Sequence, residues 1–231
     1  MRGIEDRCAA RLRETTVRPW PRTSAAPPAL VLFAMLLFAM LLVVLPGCGH
    51  SPNTTFFALS AVRPDTHAHT AVAAPLQLRA VHIPELLDRT ERVSEVSSDR
   101  LQINQFQQWG APLADMIRRV LSEDLSSRLP AGTVVPPDAP APPGTRGLVL
   151  DVQEFLPESN GQVVLQATWT VEKPGAGANT RSSNRTVLAT GMQHLELPGG
   201  GSADAQVSAM SRLLGRLADA IAAGVNRPPS S

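Results

Sequence analysis

The chain of 231 residues contains no tyrosine and only two cysteines, Cys8 and Cys48. Two cysteines form at most one disulfide, and none within the chain if Cys8 is removed by cleavage, so a disulfide-rich scaffold is excluded. The 21 basic residues are nearly all arginine, since Lys173 is the single lysine, and they are balanced by 20 acidic residues. The sequence therefore shows no basic excess of the kind that binds nucleic acid.

The chain also has no apolar run of comfortable membrane-spanning length. The longest run covers residues 29–45, which is 17 residues, with two prolines before it and Pro46 after it. A spanning helix needs about 20 apolar residues. Arginines precede the run and small residues follow it, a pattern typical of a signal peptide. We therefore interpret residues 1–47 as a signal peptide.

The four residues that end this run, Leu45-Pro46-Gly47-Cys48, resemble the bacterial lipobox. The resemblance implies cleavage between Gly47 and Cys48 and acylation of the Cys48 thiol, with palmitate among the acyl chains that hold the protein on a bilayer. Pro46 departs from the residues usual at its position. Gly49 follows the cysteine instead of aspartate, which by enterobacterial sorting rules favours the outer membrane. The alternative is a free cysteine at the end of an uncleaved helix.

After Cys48 the pattern predicts a lipidated tether over 48–53, one domain over 54–225 and a disordered tail over 226–231. Two amphipathic helices are expected, one over 112–129 and one that begins after Ser202 as N-cap. The proline-rich stretch 130–147 is interpreted as a long surface loop in preference to an interdomain linker. Strands are predicted over 54–62, 76–83, 92–96, 100–106, 147–155, 162–172 and 185–197.

These elements define the predicted fold class. Asn160-Gly161 is a strong hairpin turn signal, so the sheet is at least partly antiparallel. Helices with one apolar face bury that face best against a sheet. The sequence therefore predicts an α/β fold in which a mixed, partly antiparallel sheet is packed by two long helices.

No arrangement of residues predicts catalysis, a cofactor or a metal. His67 and His69 have no further ligand at suitable spacing apart from Asp65, so a solvated loop is favoured. Glycines 199–201 lack the lysine that a phosphate-binding loop needs, and no serine lies in a G-x-S-x-G motif. The mixed-charge run over residues 88–92 is interpreted as a solvated face. We therefore expect a protein that is not an enzyme.

Three aromatic residues are candidates for partner contact or for the core. Trp109 precedes the first helix and either plugs the core at its entry or anchors a partner. Phe56 and Phe57 are adjacent, so in a strand they face opposite sides, and one of them enters the core. Phe57 and Trp109 are retained as the candidate partner contacts.

Together these residues resemble the ABC-type transport auxiliary lipoprotein family, the PqiC-like lipoproteins. The resemblance rests on Cys48, on Phe57-Ala58-Leu59, where the family usually has tyrosine at the Phe57 position, and on these further motifs: Val81-His82-Ile83-Pro84-Glu85-Leu86-Leu87-Asp88-Arg89, Trp109 with Pro112-Leu113, and Val120-Leu121-Ser122-Glu123-Asp124-Leu125.

The resemblance implies a fold similar to the N-terminal domain of TolB. It also implies a periplasm-facing outer-membrane lipoprotein that works with an MCE-domain protein and an ABC permease and ATPase in lipid transport between the two membranes. A stand-alone structural lipoprotein that binds peptidoglycan or another outer-membrane assembly is the alternative function. The oligomeric state is left open, and a homo-oligomer is compatible with the sequence.

Overall fold

The computed structural model describes residues 29–30, 32–33, 35–38, 52–64, 74–173 and 185–226. The chain divides into two units, Met1–Ser51 and Pro52–Ser231. The described residues of the first unit are helical. Among all described residues, no helix combines the length and the apolar character needed to cross a membrane.

The second unit contains eight strands and two helices among its described residues. The helices are α1, Leu113–Arg128, and α2, Ala203–Val225. The strands are β1 Thr55–Phe57, β2 Leu76–His82, β3 Glu91–Ser97, β4 Arg100–Trp109, β5 Val134–Val135, β6 Arg146–Pro157, β7 Gln162–Lys173 and β8 Thr186–Pro198.

The strands form two sheets, where the sequence pattern predicted one. The large sheet has the order β5-β2-β6-β7-β8, and the small sheet has the order β1-β4-β3. In the large sheet β2 runs parallel to β5 and β6, while β6, β7 and β8 are antiparallel neighbours. In the small sheet β1 is parallel and β3 antiparallel to β4. The mixed α/β fold class is thereby confirmed.

Both predicted helices are present and bury the predicted apolar faces. The carbonyl of Pro112 accepts the amide hydrogen of Met116, and α1 ends where the Leu129 amide donates to Leu125. Ser202 caps α2, since its Oγ accepts the amide hydrogen of Ala205 at 3.2 Å. The residues of the two apolar stripes are all buried: Leu113, Met116, Ile117, Val120, Leu121 and Leu125 of α1, and Val207, Met210, Leu213, Leu214, Leu217, Ile221 and Val225 of α2.

The helices pack on the large sheet and on each other. Helix α1 contacts β2, and α2 contacts β7 and β8. Alternate residues of β7 face these helices, as the sequence pattern predicted, and Val164 on the other face is buried as well. Phe57, Val93 and Trp109 of the small sheet belong to the same continuous hydrophobic core. The two sheets and two helices therefore share one core.

Two predicted segments differ from the structure. The first strand ends at Phe57, not at residue 62, and residues 58–64 form no strand. The proline-rich loop contains the two-residue strand β5, and the Gln77 side chain, which is buried, donates to the carbonyls of Pro136 and Ala139 at 2.9 and 2.8 Å. This hydrogen bonding to a buried amide holds the loop against the large sheet.

Candidate functional site

The predicted lipidation and cleavage residues, Cys48 and Gly47, lie outside the described residues, as do His67 and His69. The first described residues of the second unit, Pro52–Thr54, are exposed and lead directly into β1. Strand β1 begins at Thr55, which is seven residues after Cys48. The small sheet is therefore the part of the described domain that follows the predicted anchor most closely along the chain.

The two aromatic residues chosen as candidate partner contacts meet inside the small sheet. Phe57 of β1 pairs in register with Trp109 of β4, and they are only 8% and 6% exposed. The core role foreseen for Trp109 is thus the one that the structure supports. Because both rings are buried, they are not available as contact surface in this domain.

A buried cation lies against these two rings. The guanidinium carbon of Arg92 is 5.0 Å from the centre of the Phe57 ring and 5.8 Å from that of Trp109, within the range of cation–π attraction. Its Nη1 donates to Gln107 Oε1 at 2.7 Å, and its Nη2 donates to Gln206 Oε1 at 2.9 Å. Since Gln206 lies in α2, this cluster ties the small sheet to the start of that helix.

The burial of Arg92 corrects the expectation that residues 88–92 form a solvated face. Arg92 is 4% exposed. Burial lowers its pKa, and the nearby charge of Asp204 opposes that change. An arginine remains charged at neutral pH, so the cluster is a fixed structural cation and not a titrating group. No local pattern indicates the burial of Arg92, because the two rings that cover it lie far away along the chain. Phe57 is 35 residues before Arg92, and Trp109 is 17 residues after it.

The small sheet leaves other apolar side chains exposed. Phe56 is 66% exposed, in line with the prediction that adjacent phenylalanines face opposite sides. Ile103, Phe106 and Leu101 of β4 are each more than two-fifths exposed. We call these four residues the small-sheet apolar set. Exposed apolar groups of this kind mark interaction surfaces when they cluster.

The histidines and carboxylates of the described chain do not assemble into a reactive centre. His82 is exposed on β2, and His194, exposed on β8, lies with its Nε2 atom 2.9 Å from Glu196 Oε1. Among the described residues, no group of three or more histidine, cysteine, aspartate or glutamate side chains is placed to hold a metal ion.

A second buried polar cluster joins the segment after β1 to both helices. Asp124 of α1 accepts the Val62 amide hydrogen at 2.8 Å and a hydrogen bond from Arg128 Nη1 at 3.2 Å. Arg128 Nε donates to Asp219 of α2 at 2.6 Å. Burial raises the pKa of Asp124 to about 6, against the opposing effects of the Val62 hydrogen bond and of Arg128. In the sequence Asp124 stands out only as part of the family motif over residues 120–125.

Comparison with known proteins identifies the family. The model of the family described as ABC-type transport auxiliary lipoprotein component matches residues 57–222. No curated protein matches the chain. A solved structure of an uncharacterized protein shares 20% sequence identity and a TM-score of 0.60 over 74% of this chain and 98% of its own. Protein XCC0632 from Xanthomonas campestris shares 16% identity and a TM-score of 0.56 over 73% of this chain and 93% of its own.

At these identities the two solved structures establish a shared mixed α/β fold. The family match covers well over half of the chain, from the buried Phe57 of β1 into the last turns of α2. The chain therefore belongs to the ABC-type transport auxiliary lipoprotein component family.

Proposed function

We propose that this protein is a non-catalytic lipoprotein that serves as the accessory subunit of an ABC/MCE-type lipid transport system. In this proposal acylated Cys48 anchors the domain in the outer membrane, facing the periplasm. Its partners are an MCE-domain protein and the ABC permease and ATPase of the same system, and its work supports envelope integrity. The observation that carries the proposal is the family match over residues 57–222, which begins nine residues after the lipobox cysteine.

The position of the small sheet supports a role in contact with a partner near the membrane. An extended chain spans at most about 3.6 Å per residue, so the seven residues from Cys48 to Thr55 reach no further than about 25 Å. A lipid on Cys48 would therefore hold β1 close to the bilayer. Phe56 and the other three residues of the small-sheet apolar set are exposed, and we assign them to contact with the MCE-domain protein.

The anchor is tested by the substitution Cys48→Ala in the full chain. Without the thiol that accepts diacylglycerol, we expect an unlipidated and uncleaved precursor. Mass spectrometry of membrane-extracted protein measures both properties. A mature N-terminus at another residue, with no acyl mass on the wild type, would refute the anchor.

The contact surface is tested by a pull-down of the MCE-domain protein with the lipidated full chain. We expect Phe56→Ser with Phe106→Ser to reduce recovery of the partner at least fivefold. The matched control is Val187→Ser with Met192→Ser, which removes apolar side chains of at least comparable total exposure from β8 of the large sheet. Equal recovery with both double variants would contradict the assignment to the small sheet. Failure of the wild type to recover the MCE-domain protein would favour the stand-alone structural function.

A further inference from the structure

A cleft lined by arginines lies where the segment after β1 meets the two helices. Its volume is about 500 Å³, and four of its lining residues are Arg63, Arg128, Arg212 and Arg216. Helix α2 supplies Arg212 and Arg216, and α1 supplies Arg128 from its last turn. Arg63 lies in the segment after β1, whose backbone hydrogen-bonds to both helices. This cleft is separate from the small sheet and from the contact surface proposed above.

The guanidinium of Arg128 forms the fixed floor of the cleft. The Arg128 side chain is only 6% exposed. Its Nε donates to Asp219 Oδ1 at 2.6 Å, and its Nη1 donates to the Val62 carbonyl at 3.0 Å as well as to Asp124. Its Nη2 donates to no acceptor among the described residues. A planar group held by two of its three nitrogens presents the third in a set direction.

Gly215 allows Arg128 to lie close against α2. A Cβ atom at this position would lie 3.2 Å from Arg128 Nη2 and 3.3 Å from the Val62 Cβ atom. Both distances are tighter than ordinary van der Waals contact. The absence of a side chain at this point of α2 therefore lets the Arg128 guanidinium and Val62 pack directly against the helix backbone, which helps to fix the position of the floor.

The rim carries positive charge that the described residues do not neutralise. Arg212 and Arg216 are exposed and four residues apart on one helix face, where like charges repel by a few tenths of a kcal/mol. Neither forms an ion pair with a described residue, whereas Arg128 is balanced by Asp124 and Asp219. Four arginines against these two aspartates leave an excess of two positive charges. The chain from Cys48 onward carries 15 basic and 17 acidic residues, so this concentration opposes the charge of the domain as a whole.

We propose that this cleft binds a phosphate group, either free phosphate or the phosphate of a lipid headgroup. One guanidinium group can donate two parallel hydrogen bonds to two oxygens of a phosphate. The fixed Arg128 and the exposed arginines beside it can therefore surround such an anion. Bound phosphate would accept hydrogen bonds from Arg128 Nη2 at the floor and from Arg212 and Arg216 at the rim. The proposal rests on the cleft alone and does not depend on the proposed transport function.

Calorimetric titration of the full chain in a non-ionic detergent tests the site. The probes are inorganic phosphate and dihexanoyl phosphatidylglycerol. We expect saturable binding that Arg212→Gln with Arg216→Gln weakens at least tenfold, and that Arg63→Gln alone weakens severalfold. The matched control, Arg79→Gln with Arg100→Gln, removes the same charge from exposed positions of β2 and β4 outside the cleft and should change affinity less than twofold. The substituted arginines of both double variants are partly or fully exposed, so circular dichroism should show unchanged folding.

Binding of both probes, or of the lipid alone, would support the site, and the second result would identify the headgroup as the source of the phosphate. The proposal is overturned if neither probe binds saturably or if the two double variants lose affinity equally. It is also overturned if polyglutamate binds at the cleft and both phosphate probes do not, since the cleft would then be a surface for an acidic protein. None of these results bears on recovery of the MCE-domain protein.

Discussion

The Trp169 ring lies between Gly191 and Gly224. This close packing determines how Gly224→Ala changes the stability of the domain, although helix propensity alone would favour alanine. The Trp169 ring is 3% exposed and belongs to β7, which pairs Trp169 with Gly191 of β8. A Cβ atom on Gly191 would lie 2.6 Å from ring atom Cζ2, and one on Gly224 of α2 would lie 2.8 Å from the same atom. The ring is therefore closed in on both sides by backbone.

Gly224→Ala should destabilise the domain although alanine is the better helix former. Alanine gains about 0.8–1 kcal/mol over glycine within a helix. Overpacking a rigid core costs about 1–3 kcal/mol, and the upper part of that range applies because Gly191 prevents the ring from moving away. We expect a net loss of about 1–2 kcal/mol. For a chain of this size that lowers the Tm by about 2–8 °C.

Urea and thermal unfolding followed by far-ultraviolet circular dichroism measure this loss. Ala223→Gly, at the exposed neighbouring position, isolates the helix-propensity contribution. In a Trp169→Leu background the same Gly224→Ala change should cost nothing or stabilise, because the ring is gone. A Gly224→Ala variant as stable as the wild type, or the same cost in both backgrounds, would refute the reasoning.

Two further predictions concern α1. Leu121 is fully buried, so Leu121→Ala should lower the unfolding free energy by about 2–5 kcal/mol. Urea unfolding measures this change. A loss below about 0.5 kcal/mol would mean that the apolar stripe of α1 is not part of the core. The pKa of Asp124, raised by burial to about 6, exceeds its unfolded value of about 3.9, so the folded state binds the proton more tightly. This group therefore makes stability fall as pH rises from about 4 to about 6, and Asp124→Asn should flatten the pH dependence across that window. Equal slopes for the two proteins, measured by urea unfolding at several pH values, would contradict the burial argument.

The helices could be predicted from the sequence because their information is local. Every apolar position of the stripe from Leu113 to Leu125 is buried, and the observed bounds of α1 differ from the predicted 112–129 by one residue at each end. Ser202 acts as N-cap through its own side chain. Spacing and capping chemistry suffice for such elements because all of the interacting residues lie within a few positions.

The division into two sheets could not be predicted, because it depends on pairings between distant segments. Phe57 pairs with Trp109, which is 52 residues further along the chain. The threonines and phenylalanines over residues 54–57 favour a strand that was predicted to continue to residue 62. The chain instead leaves the sheet after Phe57, and backbone amides of the next residues donate to side chains of the helices. Val62 donates to Asp124 and Ser60 donates to Ser211. No local pattern shows such partners.

The candidate site could be predicted only in part, because it too depends on contacts between distant segments. The sequence identified Phe57 and Trp109 as important but left their roles open, and only the packing shows that both line a buried cation. Arg92 lies in a run of charged residues that is typical of a solvent-exposed surface. It is buried because the fold brings the rings of Phe57 and Trp109 against it. The arginine cleft likewise joins residues from three separate segments.

The way in which the chain enters the domain has a mechanical consequence. Any pull on residues upstream of 52 reaches the fold first at β1, whose three paired residues would peel from the small sheet at low force. The next residues are held more firmly, since the Leu59 carbonyl accepts from Arg119, and Val62 is held by Asp124 and Arg128. Under such a pull β1 would therefore separate from the small sheet before the segment after it separates from the two helices.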